Sequence, residues 1–167
     1  RWNHPRRGLL MPEIFVHIAE RTGSIAALGR WVIEHACKQL KEWRELGIAP
    51  PILAINVSAA EMNGHPEYER FLAETLERWA IPPGDIELEL TESILVQITR
   101  AHSDTLRHIR DMGSSISIDD FGTGYSSLSY LSAYPINRLK IAQQFVLNIP
   151  GSESDMVITK ATLGLAR

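Results

Sequence analysis

One cysteine, Cys37, stands in a chain of 167 residues. No internal disulfide can form, and the fold must rest on its core. Cys37 lies in a helical pattern between Ala36 and Lys38 and reads as a small buried residue, not a nucleophile. That fits a reducing cytoplasm. Long apolar runs are lacking too: none approaches the ~20 residues that span a bilayer. No signal peptide is visible. Basic charge is not in excess, with Lys+Arg 17 against Asp+Glu 20 and a net charge of −3. A broad grip on a DNA or RNA polymer is therefore not expected. A small anion neutralised by metals or a few local cations remains compatible. The histidines show no ligand spacing and there is no Cys/His cluster, so structural zinc is not expected. No glycine-rich phosphate fingerprint follows the first apolar strand, which disfavours a dinucleotide-binding fold.

What is present is an alternation of helical patterns and short apolar strands, the mark of a parallel α/β fold. Pro12 to Glu20 reads as a first helix with proline near its start. Ser24 is placed to cap a second helix running to about Leu46, with Ile25, Leu28, Val32, Ile33, Ala36 and Leu40 at helical spacing and Gly47 as its stop. Strands are predicted at Ile52 to Val57, Ile86 to Thr91, Ser115 to Asp120 and Arg138 to Ile141. Helices are predicted from about Pro66 to Trp79, from Ala101 to Met112, in a short piece ending near Tyr134, and from near Ser154. Four β/α units leave two closures open: an open doubly wound sheet, or part of a (β/α) barrel, which in full takes ~250 residues.

Polar groups recur at the ends of the four strands. Asn56 lies near the end of the first, Glu89 near the end of the second, Asp119 and Asp120 close the third, and Lys140 sits in the fourth. In parallel α/β folds the carboxyl ends of strands build the active site. Asn, Glu and Asp oxygens suit Mg²⁺, Mn²⁺ or Ca²⁺. Adjacent aspartates can share two metals, an arrangement suited to in-line displacement at phosphorus. A lysine among carboxylates can orient a water or stabilise developing charge. Each residue has a plainer use. Asn56 can satisfy a strand end. Glu89 can face solvent, since Glu87 alternates with it. Glu92 can cap the next segment, Asp119 and Asp120 can form a solvated turn, and Lys140 can pair with a carboxylate. The shared strand-end placement favours the functional reading.

The ten residues Asp119-Asp120-Phe121-Gly122-Thr123-Gly124-Tyr125-Ser126-Ser127-Leu128 resemble the DDFGTGYSSL loop of EAL-domain phosphodiesterases. Asn56-Val57-Ser58 resembles that family's NVS strand, Glu89-Leu90-Thr91-Glu92 its ExTE motif, and Leu139-Lys140-Ile141 its LKI strand. Arg1-Trp2, His4-Pro5 and Gly8 resemble the segment just after the Glu-Ala-Leu tripeptide. The resemblance runs along essentially the whole chain, in order.

It implies a modified TIM (β/α)₈ barrel, incomplete in this chain, that hydrolyses cyclic di-GMP to linear pGpG with Mg²⁺ or Mn²⁺. It further implies that Asn56, Glu89, Asp119 and Asp120 are metal ligands and that Lys140 contacts the catalytic water. Arg1 would reach a substrate phosphate. Glu92 would hold the loop from Phe121 through Gly122, Thr123, Gly124, Tyr125 and Ser126 to Ser127, through which the family couples dimerisation to metal binding. A homodimer is expected on that ground. The chain opens on Arg1, not Met, and ends in a helical pattern from Thr159 to Arg167. Residues 1–167 are therefore expected to be the central portion of an EAL domain, inactive alone. The catalytic domain is expected to be cytoplasmic, and the resemblance leaves room for upstream sensor or GGDEF domains and for a membrane anchor in the full-length protein. Ala142 stands where the family usually has Asp, two residues after the lysine. That substitution keeps a second reading alive, a degenerate domain that binds cyclic di-GMP as a receptor or scaffold.

Overall fold

The computed structural model describes residues 1–62, 67–95, 97–124, 131 and 133–166. The chain opens with a short antiparallel hairpin, β1 (Trp2–His4) and β2 (Gly8–Leu10), paired Trp2 to Leu10. Two helices follow, α1 (Pro12–Arg21) and α2 (Ile25–Glu45). The rest is a series of strand-then-helix units. β3 (Leu53–Asn56) leads to α3 (Ala59–Met62) and α4 (Glu67–Trp79). β4 (Ile86–Thr91) leads to α5 (Glu92–Leu95) and α6 (Arg100–Asp111). β5 (Ser115–Phe121) is followed after the loop by β6 (Arg138–Ile141), α7 (Gln143–Leu147) and α8 (Glu153–Leu165).

The four main strands form one sheet in the order β3-β4-β5-β6, parallel throughout. This is the expected α/β architecture, and among the described residues the sheet is not closed on itself. None of the described helices is long and apolar enough to cross a membrane.

Side-chain alternation divides the sheet into two faces. Ile55, Leu88, Leu90, Ile116 and Ile118 lie in a core shared with Ile33 and Leu40 of α2, Leu72 and Leu76 of α4, and Leu106 and Ile109 of α6. α2 turns Ile25, Gly29, Ile33, Cys37 and Leu40 inward, a stripe at helical spacing. Cys37 is fully buried. Loss of hydration, with Glu34 nearby, pushes its thiol up to about 11, so it stays protonated and inert at neutral pH.

The helix ends are closed by specific hydrogen bonds. α2 stops in a Schellman arrangement: Gly47 adopts a left-handed φ of 71°, its N–H reaches Arg44 O, and the Ile48 N–H reaches Trp43 O. Ser24, in contrast, does not cap α2 with its side chain, because its own backbone is already helical and its hydroxyl meets that of Thr22. α6 opens with a capping box in which Thr99 and His102 each bond the other's backbone N–H.

Candidate active site

The second face of the sheet is polar. In-register partners place Asn56 beside Glu89, Glu89 beside Ser117, Ser117 beside Arg138, and Thr91 beside Asp119. One rung earlier, Ala54 pairs with Glu87 and Glu87 with Ser115. Asn56, Glu89 and Asp119 thus come from three adjacent strands near their carboxyl ends.

Lys140, on β6, reaches this group. Its Nζ donates to Oε1 of Glu89 and, at 3.0 Å, lies against Oε1 of Glu87. The other Glu87 oxygen accepts from Arg138 at 2.5 Å. The sequence left Glu89 a solvent-facing reading, and the structure rejects it: Glu89 is 9% exposed and Glu87, on the same face, 1%. Their alternation marks an inner polar face, not an outer one. Arg138 and Ser117 belong to the same face. The signal for all three is a period-two polar pattern on β4, β5 and β6, at Glu87/Glu89, Ser115/Ser117/Asp119 and Arg138/Lys140.

Between Ile118 and Phe121 the β5–β6 register slips. Ile118 pairs with Leu139 and Phe121 with Ile141, so Asp119 and Asp120 together stand opposite Lys140. This is a bulge, and Asp120 carries its cost with φ 53°, a left-handed conformation that Asp tolerates better than most residues. The Asp120 carbonyl accepts from the Thr123 hydroxyl at 2.8 Å, which ties down the turn. A regular strand would send two consecutive side chains to opposite faces. The bulge relaxes that constraint at the strand end.

The loop beyond is held from β4's end. Glu92, buried at the start of α5, accepts the N–H of Gly122 at 2.8 Å and of Gly124 at 3.0 Å through Oε2. Both glycines are closely approached by side chains. A Cβ on Gly124 would come within 3.2 Å of the Glu92 carboxyl carbon. At Gly122 it would meet Phe145 at 3.0 Å, and φ there is 100°. Tyr125, Ser126 and Ser127 lie outside the described residues.

The connection after β3 is anchored in a similar way. Glu61 of α3 is buried, and its Oε2 accepts the Ser58 N–H at 2.7 Å. Burial pushes its carboxyl above the usual range, against the hydrogen bonds from Ser58 and with a smaller push from Glu20. Gly29 of α2 leaves the room: a Cβ there would sit 1.7 Å from Glu61 Oε1.

Two expected residues stand apart. Arg1 is exposed, precedes the hairpin, and makes no hydrogen bond or ion pair among the described residues. The hairpin packs on α1 through an edge-on contact of Trp2 with Phe15. Ala142 is buried at the N-cap of α7, where its N–H approaches Phe121 O at 3.4 Å and its methyl offers α7 no cap.

The donor set suits a hard divalent cation in type and placement: amide and carboxylate oxygens at the ends of neighbouring strands. The ammonium of Lys140 on Glu89 shows that this carboxylate attracts positive charge. Among the described residues no three His, Cys, Asp or Glu side chains already converge on one point. Asn56, Glu89, Asp119 and Asp120 are the residues that would hold the ion. Its chemistry there would be that of a Lewis acid able to supply a hydroxide-like water at neutral pH.

A parallel β/α sheet with an amide, carboxylates and a lysine gathered at its strand ends is an α/β domain of the kind that places its chemistry at the carboxyl ends of its strands. The EAL domain family model matches residues 1–167, and the chain belongs to that family. It is 40% identical over 169 residues to a cyclic di-GMP phosphodiesterase of Pseudomonas aeruginosa, covering 99% of this chain and 28% of that protein. Its fold superposes on the MucR phosphodiesterase, solved as a c-di-GMP complex, with TM-score 0.89 and 38% identity over 100% of this chain and 67% of that one. A Klebsiella pneumoniae protein, BlrP1, solved as a calcium/cyclic-di-GMP complex, matches with TM-score 0.68 and 26% identity over 80% of this chain and 34% of that one. The chain spans little more than a quarter of the length of the curated P. aeruginosa relative.

Proposed function

We propose that this chain supplies the central strands of a cyclic-di-GMP phosphodiesterase that uses Mg²⁺ or Mn²⁺ and releases linear pGpG. The observation that carries the reading is the strand-end set: Asn56 in register with Glu89, two aspartates at one bulge, and Lys140 in contact with Glu89. Its relatives' activity supports the same reaction. In the proposed reaction a water oxygen forms a bond to phosphorus and the bond from phosphorus to the 3′ oxygen of one ribose breaks. The 5′-phosphate stays on the product. Lys140 lies where an ammonium can hold that water or offset charge on the phosphate. Arg1 is assigned to a substrate phosphate, and Glu92 fixes the loop that begins at Phe121. That loop is also assigned to a homodimer contact. A diguanylate cyclase (GGDEF) or sensor segment elsewhere in the protein is part of the same proposal, since a P. aeruginosa relative is a bifunctional cyclase and phosphodiesterase.

Ala142 favours a second reading, a receptor that binds the nucleotide without cutting it. One experiment separates the two. The intact protein is incubated with cyclic di-GMP and Mn²⁺ beside an Asp119→Asn variant. Linear pGpG from wild type, with the variant lowered by at least ~100-fold, is the expected result. Saturable nucleotide binding without product would establish the receptor, and neither binding nor product would reject both.

A further inference from the structure

We infer that Glu87 is a positioning residue for Lys140, giving the ammonium a second carboxylate to hold when Glu89 turns to a divalent cation. The inference rests on the phosphodiesterase reading above.

Lys140 touches both Glu87 and Glu89. A cation drawn to Glu89 repels the ammonium from that side. With Glu89 as its sole partner, Lys140 has two outcomes open: competing with the metal, or swinging out to water. Glu87 removes both. It sits two residues earlier on the same face, 3.0 Å from Nζ, and its 1% exposure leaves it no water to prefer. A carboxylate so deeply buried is tolerable only when paired. Arg138 pairs its second oxygen and orients the group, leaving the first oxygen aimed at Lys140.

The geometry depends on β5. Strands β4 and β6 are not neighbours, and two strand spacings separate them by roughly 10 Å. Arginine and lysine span that distance only across small side chains. Ser115 and Ser117 occupy the β5 positions on this face, and Ser117 lies in register between Glu89 and Arg138. It is fully buried, and its hydroxyl has no hydrogen-bond partner among the described residues. Its value at this position is its size.

The test is a double-mutant cycle on Mn²⁺ affinity, measured by calorimetry in the intact protein without substrate. Glu87→Gln is expected to weaken Mn²⁺ binding about fivefold when Lys140 is present, and by less than about twofold in a Lys140→Met background. Lys140→Met alone should tighten binding by removing the competitor. In turnover, Glu87→Gln should lower kcat about tenfold with KM nearly unchanged, and Glu87→Asp should recover part of it. Equal weakening in both backgrounds would overturn the inference, because Glu87 would then act by its charge alone. Should Glu87→Gln fail to fold, Ser117→Val obstructs the crossing with every charge retained. Loss of Mn²⁺ affinity and kcat supports the inference, and a folded Ser117→Val with both unchanged overturns it. A wild type that binds no Mn²⁺ would reject the divalent-cation reading itself, and the inference with it.

Discussion

Glu92 joins two points thirty residues apart through one oxygen. Because the carboxylate is buried, the N–H groups of Gly122 and Gly124 depend on it. Gly122 is half-buried and Gly124 exposed, so water takes up part of what is lost on removing the carboxylate, and the cost is about 0.5–1.5 kcal/mol for each bond. Glu92→Ala is therefore expected to speed amide exchange at Gly122 and Gly124 and to lower Mn²⁺-dependent turnover about tenfold. Unchanged exchange and turnover would contradict this. The sequence announces Glu92 only through the Glu89-Leu90-Thr91-Glu92 resemblance, because nothing local reveals a bond across thirty residues. Glu87 shows the opposite case. Its alternation with Glu89 is plain in the sequence, but alternation does not say which face meets water. What decides it is the cations on β6, brought there by a strand fifty residues away.

At the scale of elements, α4 ends in the same Schellman pattern as α2, with an alanine at the left-handed position. Ala80 has φ 53°, its N–H bonds Glu77 O, and the Ile81 N–H bonds Leu76 O. An L-residue with a Cβ pays roughly 1–2 kcal/mol for that conformation. Glycine avoids this but gains freedom in the unfolded chain. Ala80→Gly should thus stabilise by about 0.5–1 kcal/mol, a rise in Tm of about 1–4 °C by calorimetry. A lower Tm would show that the methyl makes a contact worth more than the strain. The four sheet strands and long helices were legible because their periods are long enough to read. The hairpin of Trp2–His4 with Gly8–Leu10 was not: three residues give no period, and Pro5 suggests only a turn. The four-residue helices α3 and α5 are likewise too short to show a period. The bulge at Asp119 and Asp120 could not be seen in one strand alone, since it is a relation between two.

Across the whole molecule, the apolar surface is uneven. Ile14 and Ile18 lie exposed one turn apart on α1, with Leu9 exposed on the neighbouring hairpin, and α1 has no buried residue. Val146 and Leu147 on α7 and Val157 and Leu163 on α8 are exposed as well. In the described sheet β3 and β6 are outer strands. Open strand edges beside apolar helix faces favour association. The 167-residue chain expressed alone is expected to elute from size exclusion as oligomers or aggregates and to bind a hydrophobic dye. A monodisperse monomer with one cooperative melting transition would refute this. The parallel α/β class was readable from the order of patterns; whether the sheet closes is a property of strands together.

Gly29 and Glu61 belong to different elements, yet the space is shared so closely that neither can be changed without regard to the other. A side chain at 29 excludes the present carboxylate, and a shorter residue at 61 opens a hollow beneath α2 and releases the Ser58 N–H. Among descendants of this sequence the two positions are thus bound in inheritance: drift at one is confined until the other has moved. The loop that follows Asn56 inherits its shape from a helix more than twenty residues earlier in the chain.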